Sequence, residues 1–529
     1  MLHLLWVVWI ANSGGDLAAQ DAWAEFAGRH PDTAYNLAWY GGLHPVSYSV
    51  LSPYVMAVLG VRTTMVLVGS VSAGLVVLVL ARTRAVRNIT ACSLAAVFAL
   101  LCNALSGRVT FGLGLVFALG AVAVLARPGG LGAGAFVSLG LLAGLATAAS
   151  PVAGLFLGFL AAALFLRGRF RESLTLGLPP VAVVALSVWL FPFSGAMPMG
   201  FGTVVLPLLC AVAAVLLVPT GWRTLRTVAA VYAVAVVLAW AVHSPVGSNV
   251  TRLAMLFGGV VLAAALPYAR AEGGRAGRRR RYALVAALVV FHAWLGFKSV
   301  DDVVRTAPQA SWTHDAAPLI AELRSRGAEE ARVEVVPARS HREASALAPY
   351  VNLARGWNRQ ADLERNPLFY DGSLTADSYR EWLHRWAVRY VVLPTGGTPD
   401  MGAQEESALV AGGLPYLKEE WADDNWRLFA VQEATPLAGP PAQVEHAGAG
   451  GLLLRVDEPG RVLIRVPYSP WLSLLDEADE RLAAGDGRGC LRRAPVTGDG
   501  DEWTELDAPE AGLYRLGAPY SLLSRGTPC

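Results

Sequence analysis

The first 297 residues contain only six acidic side chains. Glu172 and Glu272 stand among arginines, while Asp16, Asp21, Glu25 and Asp32 share one stretch near the N-terminus. Asp16 follows the apolar segment MLHLLWVVWIA by a few residues, in Ser13-Gly14-Gly15-Asp16. That spacing puts a carboxylate at a membrane–water boundary beside two glycines, where backbone can approach a ligand closely. Asp16 also suits the N-cap of a following helix, which would be a purely structural use. In such a helix Gln20 stands at i+4 from Asp16, and Asp21 and Glu25 are themselves i,i+4 neighbours. Downstream come Trp39-Tyr40-Gly41-Gly42-Leu43-His44-Pro45, then Tyr48 and Tyr54. Tyr40 and His44 suit either a pocket for a polar headgroup or an aromatic belt at the interface.

Arginine supplies the second half of the chemistry. Arg62, Arg108 and Arg252 each adjoin an apolar run, in loops otherwise nearly empty of positive charge. Arginine stays charged and binds phosphate bidentately. Snorkelling to lipid headgroups accounts for any one of them, but three beside an acidic loop point to a shared anionic ligand. His243 and Asn249 belong to the same polar cluster as Arg252, His243-Ser244-Pro245-Val246-Gly247-Ser248-Asn249. The sequon Asn249-Val250-Thr251 is discounted as a glycosylation site because its loop is short and close to the membrane.

The elements that position these residues follow from hydropathy. Only 16% of the chain is charged and 54% is hydrophobic, with mean hydropathy +0.44. A soluble protein carries about 25% charged residues, so a soluble enzyme, a disordered chain and a small disulfide scaffold are excluded. Apolar runs near 62–81, 89–105, 109–126, 132–148, 152–166, 174–191, 203–218, 227–242, 253–268 and 282–297 read as membrane spans. The N-terminal segment is too short to cross, so most of a first crossing is expected upstream of Met1, making about 10–11 spans in all. Residues 1–297 hold 19 Lys+Arg, and the remainder of the chain 24 with 35 of the 41 acids. Fifteen of those 19 fall in alternate loops, among them Arg82, Arg127, Arg167, Arg223 and the run Arg278–Arg281. By the positive-inside rule these loops are cytoplasmic, and the acidic loop and everything after residue 298 lie outside. The Arg278–Arg281 run is accordingly a topology anchor, and no nucleic-acid partner is expected.

The expected organisation is a polytopic α-helical membrane domain over 1–297, with an outside acidic loop at 12–61 in which 46–60 lies in the interface. An exported α/β domain over 298–434 follows, its pattern starting at Trp312, with helices around Ala317–Gly327 and Ser378–Ala387 and strands 333–337 and 388–394. A Pro/Ala/Gly linker over 435–450 leads to a β-sandwich-like module over 451–529, with turns such as Glu458-Pro459-Gly460 and Gly498-Asp499-Gly500. Cys490 and Cys529 are the only cysteines in the exported part, where an oxidising compartment favours pairing, so a disulfide between them is expected. No metal-ligand spacing, nucleotide motif or Ser/His/Asp order stands out.

The stretches GGDLAAQ, WYGGLHPVSYSVLSPY, SGRVTFGLG, VGSNVTRL and ARGWNRQADLERNPLFYDG resemble the GT-C superfamily of membrane glycosyltransferases, within a group of large actinobacterial integral membrane proteins. An Arg-rich, Lys-poor usage, 41 against 2, fits a high-GC source. The resemblance implies a GT-C-like membrane domain in the cytoplasmic membrane, transferring sugar from a polyprenyl-phosphate donor to a cell-envelope glycan or lipid acceptor. It implies Asp16 as catalytic carboxylate, acting as general base. Arg252, Arg108 and Arg62 would then hold the lipid phosphate, and Asp21, Tyr40 and His44 would contact sugar or acceptor. Such enzymes often carry a second acid in the next outside loop. Here that loop reads Ser106-Gly107-Arg108, so a divalent metal is possible but lacks that support. A multispan transporter is the alternative, though its spans should carry functional ionisable groups and these carry almost none. A non-catalytic envelope scaffold of the same fold is the other alternative.

Overall fold

The structure, a computed structural model, describes residues 2–11, 15–193, 195–307, 316–483, 485, 487–496, 500–521 and 526–529. Ser13 and Gly14 before Asp16, Trp312, and Gly498-Asp499 of the expected turn lie outside the described residues. The chain forms two compact units, one of residues 1–20 and 49–305, the other of residues 21–48 and 306–529.

The first unit is helical. It takes in α1 (Leu2–Trp9) and the start of α2 (Leu17–Arg29) and, after α3 (Pro45–Tyr48) of the second unit, resumes with α4 (Ser52–Leu59). Ten apolar helices follow: α5 (Val61–Arg82), α6 (Ile89–Leu105), α7 (Val109–Leu125), α8 (Ala133–Ala149), α9 (Pro151–Leu166), α10 (Phe170–Leu190), α11 (Phe201–Leu217), α12 (Arg223–Ala241), α13 (Arg252–Ala271) and α14 (Gly274–Thr306). Each corresponds to one apolar run of the sequence. Five reach the length and hydropathy of a membrane crossing: α5, α10, α12, α14, and α13 taken with the 3₁₀ turn Gly247–Thr251 before it. The other five are 16 or 17 residues long, about 25 Å at 1.5 Å per residue. That is slightly short of a hydrocarbon core of about 30 Å. Large apolar side chains stay exposed on these helices, including Leu94, Leu141, Val181, Trp189 and Leu216. In water such surface would be untenable on this scale; a lipid environment accounts for it. The protein is membrane-embedded.

Close helix packing depends on small residues. A Cβ on Gly114 of α7 would stand 2.7 Å from Ser150 Cβ and 2.9 Å from Ala153 Cβ. Phe111, Phe156, Phe159 and Tyr232 form a ladder of ring contacts through the unit's core, with centroids 5.8–6.1 Å apart. The stretch 46–60, expected as one interface helix, is split between α3 and α4. Ser49 makes the break: its hydroxyl donates to Ala149 O (2.8 Å) and accepts from Ser52 N (3.0 Å). Pro53 then opens α4.

The second unit combines a mixed sheet with an antiparallel pair of sheets. β1 (Arg332–Val335), β2 (Asn352–Leu353) and β3 (Val388–Pro394) are parallel, while β5 (Trp426–Val431) and β4 (Leu417–Ala422) add antiparallel, in the order β2-β1-β3-β5-β4. Helix Ala376–Arg385, opened by a Thr375–Ser378 capping box, precedes β3. Tyr379 and Trp382 of this helix, and Trp386 just after it, are packed in a core with Phe369 and Trp503. The remaining strands are β6 (Ala442–Ala447), β7 (Gly451–Val456), β8 (Gly460–Pro467), β9 (Ser473–Leu475), β10 (Cys490–Arg493), β11 (Trp503–Ala508) and β12 (Gly512–Gly517). They form sheets β6-β7-β12-β9 and β10-β11-β8, so β6 occupies part of the stretch 435–450. The burial along β8 alternates as a one-faced strand should. Cys490 and Cys529 are joined by a disulfide.

Residues 21–48 belong to this second unit. Thr33 bridges to Pro519, Leu37 N donates to Ala449 O (2.9 Å), and Leu353 N donates to Ala38 O (3.1 Å). Trp23, Trp39 and Tyr40 of this stretch are fully buried.

Candidate functional site

In the first unit, three charged side chains from distant parts of the sequence meet. Arg108 Nε lies 3.6 Å and Arg252 Nη2 3.7 Å from Oδ2 of Asp16. The three side chains are 17%, 20% and 37% exposed, in the order Arg108, Arg252, Asp16. Both distances exceed the 2.7–2.9 Å of a charge-assisted hydrogen bond, so the guanidiniums attract the carboxylate without being locked on it. Positive charge exceeds negative within the trio, which suits an anionic ligand.

Each member is held by its backbone. Asp16 immediately precedes α2, where the exposed N–H groups of a first turn favour a negative side chain. Arg108 is the residue that opens α7. The turn before it needs Gly107, whose φ is +70° and whose Cβ would stand 2.6 Å from Leu17 Cγ. Arg252 opens α13 directly after the 3₁₀ turn Gly247–Thr251. Tyr232 of α12 fixes that turn by donating its hydroxyl to Val250 O (3.0 Å). The Arg252 guanidinium lies 5.3 Å from the Phe111 ring centroid, within cation–π reach.

Gln20, 1% exposed, ties the two sides together. Its amide nitrogen donates to Gly107 O and to Asp16 O, the latter at 3.1 Å. Its amide oxygen accepts from Thr110 N at 2.8 Å. Thr110 lies in the first turn of α7, whose N–H groups have no acceptor within the helix. Gln20 therefore caps α7 from another helix and fixes the turn that carries Arg108. The i+4 spacing from Asp16 is visible in the sequence; the partner 87 residues away is not.

The remaining candidates are placed elsewhere. Arg62 Nε donates to Ala11 O (3.3 Å), just beyond the C-terminal end of α1, where a cation offsets the helix dipole. No ion pair joins Arg62 to Asp16 among the described residues. His243 is exposed and Asn249 half-buried, in the segment leading to Arg252, and the ion pairs of Asp16 among the described residues are with Arg108 and Arg252 alone. Asp21, Tyr40 and His44, expected to contact sugar or acceptor, belong to the second unit, where Tyr40 and His44 are buried and Asp21 is partly exposed. Asp21 forms an ion pair with Arg342. The Tyr40 hydroxyl is buried and bonded to Gly356 O (3.1 Å) and Asn358 N (3.0 Å). His44 Nδ1 lies 2.7 Å from Ala34 O; burial pushes its pKa down to about 4, so the ring is neutral and donates there.

A second charge cluster escaped sequence reasoning. Arg355, within the stretch ARGWNRQADLERNPLFYDG, is buried against Asp362 (3.1 Å, bidentate), Glu406 (2.8 Å) and Glu334 (3.5 Å). Tyr379 donates to Glu406 at 2.9 Å and Asn366 to Asp362 at 3.0 Å. One guanidinium cannot balance three buried carboxylates. Burial, and then the neighbouring Glu406 charge, hold Glu334 well above the usual carboxylate range. The cluster is sealed from solvent and reads as structural.

Among the described residues, no group of three or more His, Cys, Asp or Glu side chains gathers as a cation site. Around Asp16 two guanidiniums stand where further carboxylate ligands would have to be. This donor set does not fit a divalent cation, which would be repelled rather than coordinated.

Fold and site thus define a polytopic membrane protein with a carboxylate–diarginine centre and a large sheet-containing second unit. Residues 439–529 match a family described as a domain of unknown function (DUF8823). No curated protein matches the chain. Among solved structures, the chain is similar to ArnT from Cupriavidus metallidurans at 13% identity and a TM-score of 0.43, covering 81% of this chain and 96% of that one. It is also similar to the arabinofuranosyltransferase AftD from Mycobacteria at 12% identity and a TM-score of 0.43. That match covers 96% of this chain and 59% of AftD's. At these values the likeness carries no residue correspondence.

Proposed function

We propose that this protein is a membrane glycosyltransferase that takes a sugar from a polyprenyl-phosphate carrier at the outer face of the cytoplasmic membrane and passes it to a cell-envelope acceptor. The observation that carries the reading is the convergence of Arg108 and Arg252 on Asp16 in a unit of apolar helices. This is a general base beside a diarginine anion site, at the end of a helix bundle where a lipid-linked phosphate can reach. The GT-C resemblance of the sequence supports the same assignment.

In the reaction, the acceptor hydroxyl oxygen attacks the anomeric carbon of the donor sugar. Its proton passes to the Asp16 carboxylate as the new C–O bond forms. The bond between the anomeric carbon and the phosphate oxygen breaks, and its electron pair leaves with the polyprenyl phosphate. Arg108 and Arg252 stabilise the charge that grows on that oxygen. Preorganised donors of this kind are worth roughly 10²–10³ in rate each, and general-base transfer roughly 10²–10⁴. Gln20 is a positioning residue, because it holds the turn that presents Arg108.

The second unit, with residues 21–48, would lie outside the membrane, where Cys490 and Cys529 oxidise, and would hold the acceptor. The reading is tested with purified chain and a radiolabelled polyprenyl-phosphate sugar in detergent or vesicles. Label is expected to move to a glycan or lipid acceptor, with free polyprenyl phosphate released in equal amount. Tight donor binding with no label transferred to any envelope fraction would favour a non-catalytic scaffold instead.

A further inference from the structure

The end of the helical unit away from Arg252 carries another charged feature. α13 begins at Arg252 and ends at Ala271, about 30 Å further along its axis at 1.5 Å per residue. Glu272 and Gly273 turn the chain into α14, whose first residues read GRAGRRRR over 274–281.

Gly277 fixes which way these arginines face. It is buried, and a Cβ there would run into Glu272 O, so this side of α14 is pressed on the turn. Arg280 and Leu284 share that side, at i+3 and i+7 from Gly277. Arg280 pairs with Glu272 and donates to Leu217 O at the end of α11 (2.9 and 2.8 Å). Leu284 is fully buried. Arg275, Arg278 and Arg279 take the opposite side, at i, i+3 and i+4, and are exposed. Glu272 is already taken by Arg280, and none of the three is in an ion pair among the described residues. Like charges at these spacings repel, and the positive end of the helix dipole adds to the repulsion. An anion from outside the chain would relieve both.

The same side of α14 continues as an apolar stripe. Tyr282, Val289, Val290 and Phe297 follow on it, 56–73% exposed. Tyr282 to Phe297 covers about 24 Å, most of a hydrocarbon core of about 30 Å. The arginines therefore stand at headgroup level, with a tyrosine at the boundary where such rings are favoured. Guanidinium forks match phosphate oxygens. From Arg275 to Arg279 the helix rises about 6 Å, which leaves room for more than one phosphate. Charge above and apolar surface below describe an amphiphile with an anionic head.

We propose that the Arg275, Arg278 and Arg279 face of α14 binds an anionic phospholipid, its phosphates on the guanidiniums and an acyl chain along Tyr282, Val289 and Val290. This binding is independent of the transferase reading, because it lies at the other end of α13 from Arg252. The test uses the full chain, stripped of lipid in a neutral detergent. Native mass spectrometry counts bound lipid, and thermal unfolding is followed as lipid is added. Cardiolipin, with two phosphates, is expected to bind saturably and raise the unfolding temperature, and phosphatidylglycerol to do so more weakly. Phosphatidylcholine and inorganic phosphate should do neither. Each basic residue near an anionic headgroup is worth about fivefold in affinity. Changing Arg275, Arg278 and Arg279 together to Gln should therefore weaken cardiolipin binding about a hundredfold. Should that variant fail to insert, Arg278→Gln alone should weaken it about fivefold. Arg167→Gln with Arg171→Gln, exposed arginines at the α9–α10 junction, should leave it unchanged. Equal binding of phosphatidylcholine, unchanged affinity in either variant of the α14 face, or an equal loss in the control pair overturns the proposal. Binding of soluble polyglutamate with no response to lipid also overturns it, in favour of an acidic protein partner.

Discussion

Replacing Gln20 by alanine should both loosen the first unit and slow its chemistry. The side chain is buried and serves three backbone groups: Gly107 O, Asp16 O and Thr110 N. Alanine leaves the Gly107 carbonyl without this donor and the Thr110 N–H without this acceptor. Each buried, unsatisfied group costs about 1–3 kcal/mol, and Thr110 N is also a lost helix cap, typically ~1 kcal/mol. Thr110 is half-buried, so water recovers part of its loss, and a total of ~2–4 kcal/mol follows. Arg108 sits between the two released groups. A displacement of about 1 Å at a reacting centre can lower a rate about 10²-fold, so kcat should fall by that order while the carboxylate and both arginines remain. Gln20→Glu keeps an acceptor for Thr110 but offers no donor to Gly107, and should fall between wild type and alanine. Thermal unfolding in detergent and labelled-sugar transfer, measured on the same preparations, give both readouts. Wild-type stability in Gln20→Ala would refute the capping argument. Lost stability with an unchanged kcat would refute the claim that Gln20 positions Arg108.

Three further outcomes follow from the geometry. Arg252→Lys or Arg108→Lys keeps the charge but loses the planar fork that matches phosphate, so donor KM should rise by about tenfold or more in transfer assays. Reducing or mutating the Cys490–Cys529 pair, which closes a loop of sequence separation 39, should destabilise the second unit by ~2–4 kcal/mol in reductant-dependent melts. Glu343 is buried and its pKa is raised by that burial to about 8, from 4.5 when unfolded. The folded state therefore holds this proton more tightly, and stability should decrease as pH rises from about 4.5 to about 8 and level off above. Glu343→Gln removes this component, on the order of a few kcal/mol, in denaturant titrations across that range; an unchanged slope would contradict the assignment.

Much of this was legible in sequence for identifiable physical reasons. Apolar length and arginine punctuation are local signals, and every apolar run proved to be a helix. Scarcity singled out Asp16, Arg108 and Arg252: a charge is conspicuous where almost none is tolerated. Cys490 and Cys529 stood out because no other cysteine lies beyond residue 298. What escaped was decided at long range. Arg62 resembled Arg108 in its surroundings, yet its Nε donates to Ala11 O just past α1, and among the described residues only Arg108 and Arg252 pair with Asp16. Asp21, Tyr40 and His44 followed Asp16 closely in sequence, but α2 carries the chain into the second unit, where all three are committed to other partners. Gln20 and Arg355 have no local signature, since their partners lie far along the chain, at Gly107 and Thr110 for one and at Glu406 and Glu334 for the other.

The most direct test of the account is transfer of labelled sugar from a polyprenyl-phosphate donor by wild type and Asp16→Asn, with insertion and donor binding verified for both. The substituted amide is isosteric with the carboxylate but cannot take up the acceptor proton. Transfer should therefore fall by roughly 10²-fold or more while donor lipid still binds at Arg108 and Arg252. Full activity in Asp16→Asn would contradict the assignment of Asp16 as the general base.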